Sequence, residues 1–239
     1  MITILRSSDR GHRDHGWLDT YHSFSFGDHF DPERMAFGPL RVLNQDRVAG
    51  GAGFPPHGHA DMEIVSYVLE GALEHEDSMG NGSRMRPGEV QLMSAGSGVQ
   101  HSEFNASRTD GLHFLQMWVV PSERGLAPRY FQETFSEEER SGTLRLVVSP
   151  DGEDGSLLIR QDARLRVGIL SPGDEVPLVV DEGRGVYLHV ATGSMELDGR
   201  LLEAGDGAEI VGPTSLQLTG AQRGEVVAWD VPLDPLIAR

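Results

Sequence analysis

His57 and His59 stand two residues apart in "GFPPHGHADMEIVSYVLEG", and His101 and Glu103 repeat that spacing in "GVQHSEFN". Residues i and i+2 of an extended strand point to the same face, so each pair can aim both of its side chains inward. Two such pairs on neighbouring strands would gather three neutral imidazoles and a carboxylate around one point. First-row divalent metals accept that donor set, and an octahedral shell would keep two positions open for water or substrate. A protonated imidazole cannot ligate, so metal binding is expected to weaken as pH falls through the ordinary His range, about 6.5. The chain has no cysteine, which excludes disulfides, zinc ribbons and thiol catalysis and leaves His, Asp and Glu as the metal ligands.

Most of the ten histidines are expected to do other things. His12, His15, His22 and His29 lie in a polar stretch where surface or turn roles are expected. His113 in "LHFLQMW" and His189 in "YLHVATG" each stand alone in an apolar run, which fits a hydrogen-bonded core or surface histidine. His75 in "LEHEDSMG" is expected at an exposed strand end, with orientation of a ligand from behind as its other reading. No helix start and no Lys follow "SAGSGVQ", so a tight turn delivering His101 explains its glycines better than a phosphate cradle.

The elements that must position these residues are strands. Among the 239 residues, 30 glycines and 13 prolines separate short runs rich in Val, Leu and Ile, such as "EIVSYVLEG", "LHFLQMWVV", "LRVGIL" and "EVVAWDVP". That is the rhythm of a β-sandwich or barrel. "PRYFQETFSEEERSG" reads as a short helix or linker, and the boundary falls there, giving one domain over 1–133 and a second over 134–239. Both halves run strand, Gly turn, strand, Gly-acidic turn, strand, which implies an internal duplication. Anchoring Gly71 on Gly193 and Gly88 on Gly205, and extending each without gaps, sets His57, His59, His101 and Glu103 opposite Val179, Asp181, Leu218 and Gly220. Only the first half then carries polar chemistry. The net charge of −17 repels nucleic acid and anionic lipid headgroups alike. The first residues hold no apolar signal and no stretch long enough to span a membrane, so a cytoplasmic address is expected.

Four segments, "GFPPHGHADMEIVSYVLEG", "HEDSMGN", "PGEVQLMSAGSGVQHSEFN" and the opening "GHRDHGWLDTYHSFSFGDHFDPERMAFGPLRVLNQD", together resemble the pirin family, in particular its bacterial quercetin 2,3-dioxygenase-like members. The likeness is nearly continuous over the first half and an outline in the second. It implies an all-β bicupin, two tandem antiparallel β-barrels of jelly-roll type with few short helices, and one metal in the N-terminal barrel. By that resemblance the ligands are His57, His59, His101 and Glu103, with Glu103 also the catalytic proton acceptor. Iron(II) is the first choice of metal, ahead of nickel, manganese, cobalt, copper and zinc. The general cupin pattern would nominate Glu63 as the carboxylate, whereas the pirin pattern nominates Glu103 and leaves Glu63 behind the ligands or satisfying its strand. Gly58 and Ala60 depart from many relatives and bear on rim charge only.

The activity so implied is dioxygenase opening of a flavonol such as quercetin, with dioxygen consumed and carbon monoxide released. Phe54, Met62, Phe104 and Met117 flank the ligand-bearing strands, where an apolar wall for the substrate and a plain core role are the two expected readings. The expected partners are a small aromatic molecule and dioxygen, with no nucleic acid and no membrane, and the chain is expected to be a monomer. A metal-gated regulatory protein and a metal-dependent isomerase or hydrolase are other roles that the fold hosts.

Overall fold

The computed structural model describes residues 1–233, which form an almost wholly antiparallel β-structure with three short helical turns. Each half pairs a seven-stranded sheet with a four-stranded one. In the first half the large sheet runs Arg129–Thr134, Glu89–Ser94, Glu63–Glu70, Leu112–Val119, Leu40–Val48, Leu18–His22, Gly11–Asp14, and the small sheet runs Gly53–His59, Val99–Asn105, Leu73–Asp77, Gly82–Met85. The sheets face each other without closing, so the two expected barrels are jelly-roll sandwiches.

Alternation along the strands assigns two faces to each large sheet. In Glu63–Glu70, Val65 and Tyr67 enter a core shared between the halves, together with Leu115, Met117, Val167, Val227 and Trp229. Their neighbours Ile64, Ser66 and Val68 turn to the interior of the first half. The two large sheets therefore pack back to back, and the indole of Trp229 donates to Met117 Sδ at 3.1 Å across that seam. Tyr67, Arg140 and Glu225 close a buried polar cluster there, with Arg140 Nη1 donating to Tyr67 Oη at 2.5 Å and also to the Glu225 carboxylate.

The segment read as a helix or linker divides in two. Arg129–Thr134 completes the large sheet beside Glu89–Ser94, its alternating "RYFQET" meeting an open edge. The helix is only Glu137–Arg140, started by Ser136 and Glu139 in a reciprocal capping box. Strand Ile2–Leu5 was read with the first half, but it pairs with Gly207–Val211 in the second half's large sheet.

Inside the second half the facing strands carry Val176, Leu178, Met195, Leu197, Leu216 and Leu218, packed on Val186, Leu188, Ala208 and Val226. No group of metal-binding side chains occurs there among the described residues. The gapless alignment is off by register, because Val179 is 61% exposed and the inward positions are Val176, Leu178 and Val180. One residue of slip reverses the face that a strand presents.

A second polar seam joins the halves. Gln45 donates to His113 Nε2 at 2.9 Å and to the Ala191 carbonyl at 3.0 Å, and its carbonyl oxygen accepts from His189 Nε2 at 3.0 Å. Both lone histidines are thus buried and hydrogen-bonded. Burial, reinforced by Arg47, lowers the His113 pKa to about 4. The unfolded chain, with His near 6.5, binds the extra proton first, so the contribution of neutral His113 is intact above about pH 6.5 and lost as pH falls towards 4. A shift of that size corresponds to about 3 kcal/mol. In a His113→Gln variant the fall in unfolding free energy between pH 6.5 and 4 should be smaller than in the parent chain, as read by denaturant titration at stepped pH. An equal fall in both would show that His113 does not sense the seam.

Candidate metal centre

Pro55 and Pro56 have no N–H to give the ladder, and opposite them the register between Gly53–His59 and Val99–Asn105 shifts, between His101 and Glu103. His57 lies directly across from His101, and Glu103 lies across from His75 on the other side. The ring centroids of His57, His59 and His101 are 4.5 to 5.0 Å apart. Their ligand nitrogens lie within 4.8 Å of one another, and His75, His101 and Glu103 form a second such group. His101 belongs to both. The structure brings the three predicted histidines together and sets Glu103 one step deeper, beside His75.

Hydrogen bonds fix which nitrogen each ring offers. His57 Nδ1 donates to the Pro55 carbonyl at 2.8 Å, which leaves Nε2 with its lone pair. The Nε2 atoms of His59 and His101 are buried without a partner among the described residues. Burial first, then the neighbouring imidazoles, lowers the pKa of His59 to about 4 and of His101 to about 3. Protons therefore compete for these two nitrogens only below about pH 4, which moves the acid limit expected from free imidazole downward. Buried, unpartnered, neutral nitrogens at this spacing are the donors that a divalent cation would satisfy.

Behind them stands His75, fully buried rather than at an exposed strand end. Gln91 donates to its Nδ1 at 3.3 Å and its Nε2 donates to Asp77 at 3.3 Å, so His101 Nδ1, 3.5 Å from His75 Nδ1, is the donor in that contact. This chain holds His101 Nε2 free as an acceptor towards the His57–His59 side. Burial alone would raise the Asp77 carboxyl, but hydrogen bonds from Asn81, His75 and Met79 outweigh it and hold it low. The signal was legible: Leu73, His75 and Asp77 alternate in "LEHED", and all three turn inward.

Glu103 is buried, accepting from Ser66 Oγ at 3.1 Å and from Gln116 Nε2 at 2.8 Å, and burial raises its pKa. Glu63 does not share this face. It points to the seam between the halves, accepting from Ser94 Oγ at 2.7 Å and from the Arg160 amide at 3.2 Å.

The large sheet supplies the opposite wall, with Thr20, His22, Asn44 and Asp46 around a cavity of about 170 Å³ that Phe26 and Phe54 also line. Asp46, buried and bonded to Thr20, is raised to about 7 by burial first, and nearby Glu103 adds to the rise. His22 was expected at the surface; it is buried, with Nδ1 against Asn44 Oδ1 at 2.8 Å and its ring stacked on His29. The apolar wall also differs from expectation. Met117 lies in the seam and Phe104 is 37% exposed, whereas Trp118, which the sequence reading passed over, meets His59 edge-on at 4.8 Å with Phe26 behind it. Met62 and Trp118 pack against the same small core of Ile64, Met93, Ala95 and Val99.

A profile described as Pirin matches residues 5–119, and one described as the quercetinase C-terminal cupin domain matches residues 146–231. A quercetin 2,3-dioxygenase from Escherichia coli strain K12 is 42% identical over 233 residues, covering 97% of this chain and 99% of that protein. The chain belongs to the pirin family. Another pirin relative, a pirin-like protein of Caulobacter vibrioides, is 40% identical over 92% of this chain and 95% of its own length. The crystal structure of the Escherichia coli bacterial pirin YhhW in complex with nickel(II) superposes with a TM-score of 0.92 at 40% identity, covering 98% of this chain and all of that one. A quercetin 2,3-dioxygenase structure from Acinetobacter baumannii, 20% identical with a TM-score of 0.76 over 94% of this chain and 84% of that one, shares the pirin fold alone. No helix among the described residues is long and apolar enough to cross a membrane.

Proposed function

We propose that this pirin is a metal-dependent dioxygenase that opens the central ring of a flavonol such as quercetin, consuming dioxygen and releasing carbon monoxide. The observation that carries this reading is the pair of buried, unpartnered Nε2 atoms of His59 and His101 beside a buried carboxylate. In this reading His57, His59, His101 and Glu103 hold one divalent ion in the first half. Iron(II) is our choice, although nickel(II) suits three nitrogens and an oxygen equally well. An ion held there would supply Lewis acidity towards the 3-hydroxyl and 4-carbonyl of a flavonol.

The remaining work falls to the protein's own groups. Glu103, held high by burial, accepts the 3-hydroxyl proton at a carboxylate oxygen while Ser66, bonded to Oε1, and Gln116, bonded to Oε2, keep the carboxylate in place. Trp118, Phe26 and Met62 keep water from the aromatic face of the substrate. Both atoms of dioxygen enter the organic product and one ring carbon leaves as carbon monoxide, so no outside reductant is needed. The test follows flavonol absorbance with oxygen-electrode and carbon monoxide readings, in air and anaerobically, on chain loaded with each metal in turn. Oxygen-dependent loss with matching carbon monoxide is expected. Loss without carbon monoxide means autoxidation, and no turnover with any divalent metal overturns the proposal.

A further inference from the structure

A second cavity, of about 580 Å³, lies between the halves and is separate from the histidine cluster. Its walls include Ser7, Arg10, Tyr21, Gln45, Arg47 and Thr192, drawn from both halves. Arg10 is 7% exposed. Its guanidinium donates to the Tyr21 carbonyl at 2.8 Å, the Gln45 side-chain oxygen at 3.2 Å and the Gly205 carbonyl at 3.4 Å, all of them neutral acceptors. Nε has no partner, and no carboxylate lies within ion-pair distance among the described residues. Asp46 and Asp206 act on the guanidinium only from beyond ion-pair distance, so its burial is costly, and an anion in the cavity would reduce that cost.

The surroundings favour a small singly charged group. Asp19, the acid on the wall, is engaged by His12 Nε2 at 2.6 Å. The Gln45 amide is locked by its bonds to His113, His189 and Ala191, so its oxygen cannot turn away from Arg10. Arg47 is exposed at the cavity and makes no ion pair among the described residues. The Tyr21 ring, stacked on His12 at 4.3 Å, together with Ala191 and Ala204, gives an apolar side.

We propose that the cleft between the halves binds a small organic carboxylate, its charge held by Arg10 and Arg47 and its apolar body laid against Tyr21. One charge matches one buried guanidinium that meets only three neutral acceptors; the second charge of a phosphate would be set against the Asp19 carboxylate on the same wall. The ligand touches strands of both halves, so binding should also raise the unfolding temperature.

The experiment is calorimetric titration of the metal-loaded chain with benzoate, butyrate and inorganic phosphate, repeated on metal-free His101→Ala chain so that an anion on the metal is told apart. One carboxylate per chain is expected to saturate in both proteins, with phosphate weaker. Arg10→Lys should weaken binding about tenfold and Arg47→Gln several-fold, as loss of a charge-assisted bond does. Arg47 is exposed and makes no ion pair among the described residues, so that variant tests the site even where a change at Arg10 disturbs folding. Absence of saturable carboxylate binding overturns the proposal. So does unchanged affinity in folded Arg47→Gln and Arg10→Lys chains, binding lost only in His101→Ala, or tighter binding of phosphate than of either carboxylate.

Discussion

His101→Ala chain should purify without its metal. His101 is the residue shared by the two ligand groups, and its Nε2 is buried with no protein partner, so nothing else nearby fills its place. Losing a group that only orients a ligand commonly costs 10- to 100-fold in metal affinity, and losing the bonded nitrogen itself should cost more than about 100-fold. Metal per chain, measured after dialysis against buffer without added metal, should drop from near one to near zero. The parent chain should also gain about 2.7 kcal/mol when metal is supplied at a hundred times its dissociation constant, and the variant less than about 0.4 kcal/mol at the same metal concentration. Unchanged metal content with the fold intact would remove His101 from the site. A parent content near two would place a second ion outside it.

The next largest effect is expected at Glu103. Glu103→Gln keeps the volume and can still bond Ser66 and Gln116, because the Gln116 amide can turn to offer its oxygen. What it loses is the basic oxygen, and general-base catalysis commonly contributes about 10²–10⁴-fold. Turnover should fall by that range while the circular dichroism spectrum holds. Glu63→Gln is the comparison. Its carboxylate serves Ser94 and Arg160 at the seam, so the change should cost about 1–2 kcal/mol of stability and leave turnover near the parent value. The reverse ranking would transfer the proton to Glu63.

The strand rhythm, the duplication and the polar first half were legible because β-structure writes burial as a period of two. The same parity gathered His57, His59 and His101. It failed where a single residue decides the face. Met117 and Trp118 are adjacent in "LHFLQMWVV", and only the sheet's position between two layers settles that Met117 joins the seam and Trp118 the site. Glu63 turns away from the site for a related reason: parity does not carry across the turn at Asp61, whose φ of 50° breaks the alternation between His59 and Glu63. His75 needed no structure, since "LEHED" marks it as inward; a charged neighbourhood drew the reading to the surface. The pairing of Ile2–Leu5 with residues two hundred places away had no local signal at all, because a strand's sequence does not name its partner.

That pairing also governs the order in which the molecule can be made. Ile2–Leu5 leaves the ribosome some two hundred residues before its partner Gly207–Val211. The first half can collapse on its own strands while those four residues wait, and closing so long a loop is slow although its entropic cost grows only with the logarithm of its length. Until they dock, Gly207–Val211 is an uncovered sheet edge, open to pairing with another nascent chain. The two duplicated halves are thereby tied into one unit of inheritance. Cutting a gene between them would leave the first product with a strand that has nowhere to go and the second with an edge that nothing protects.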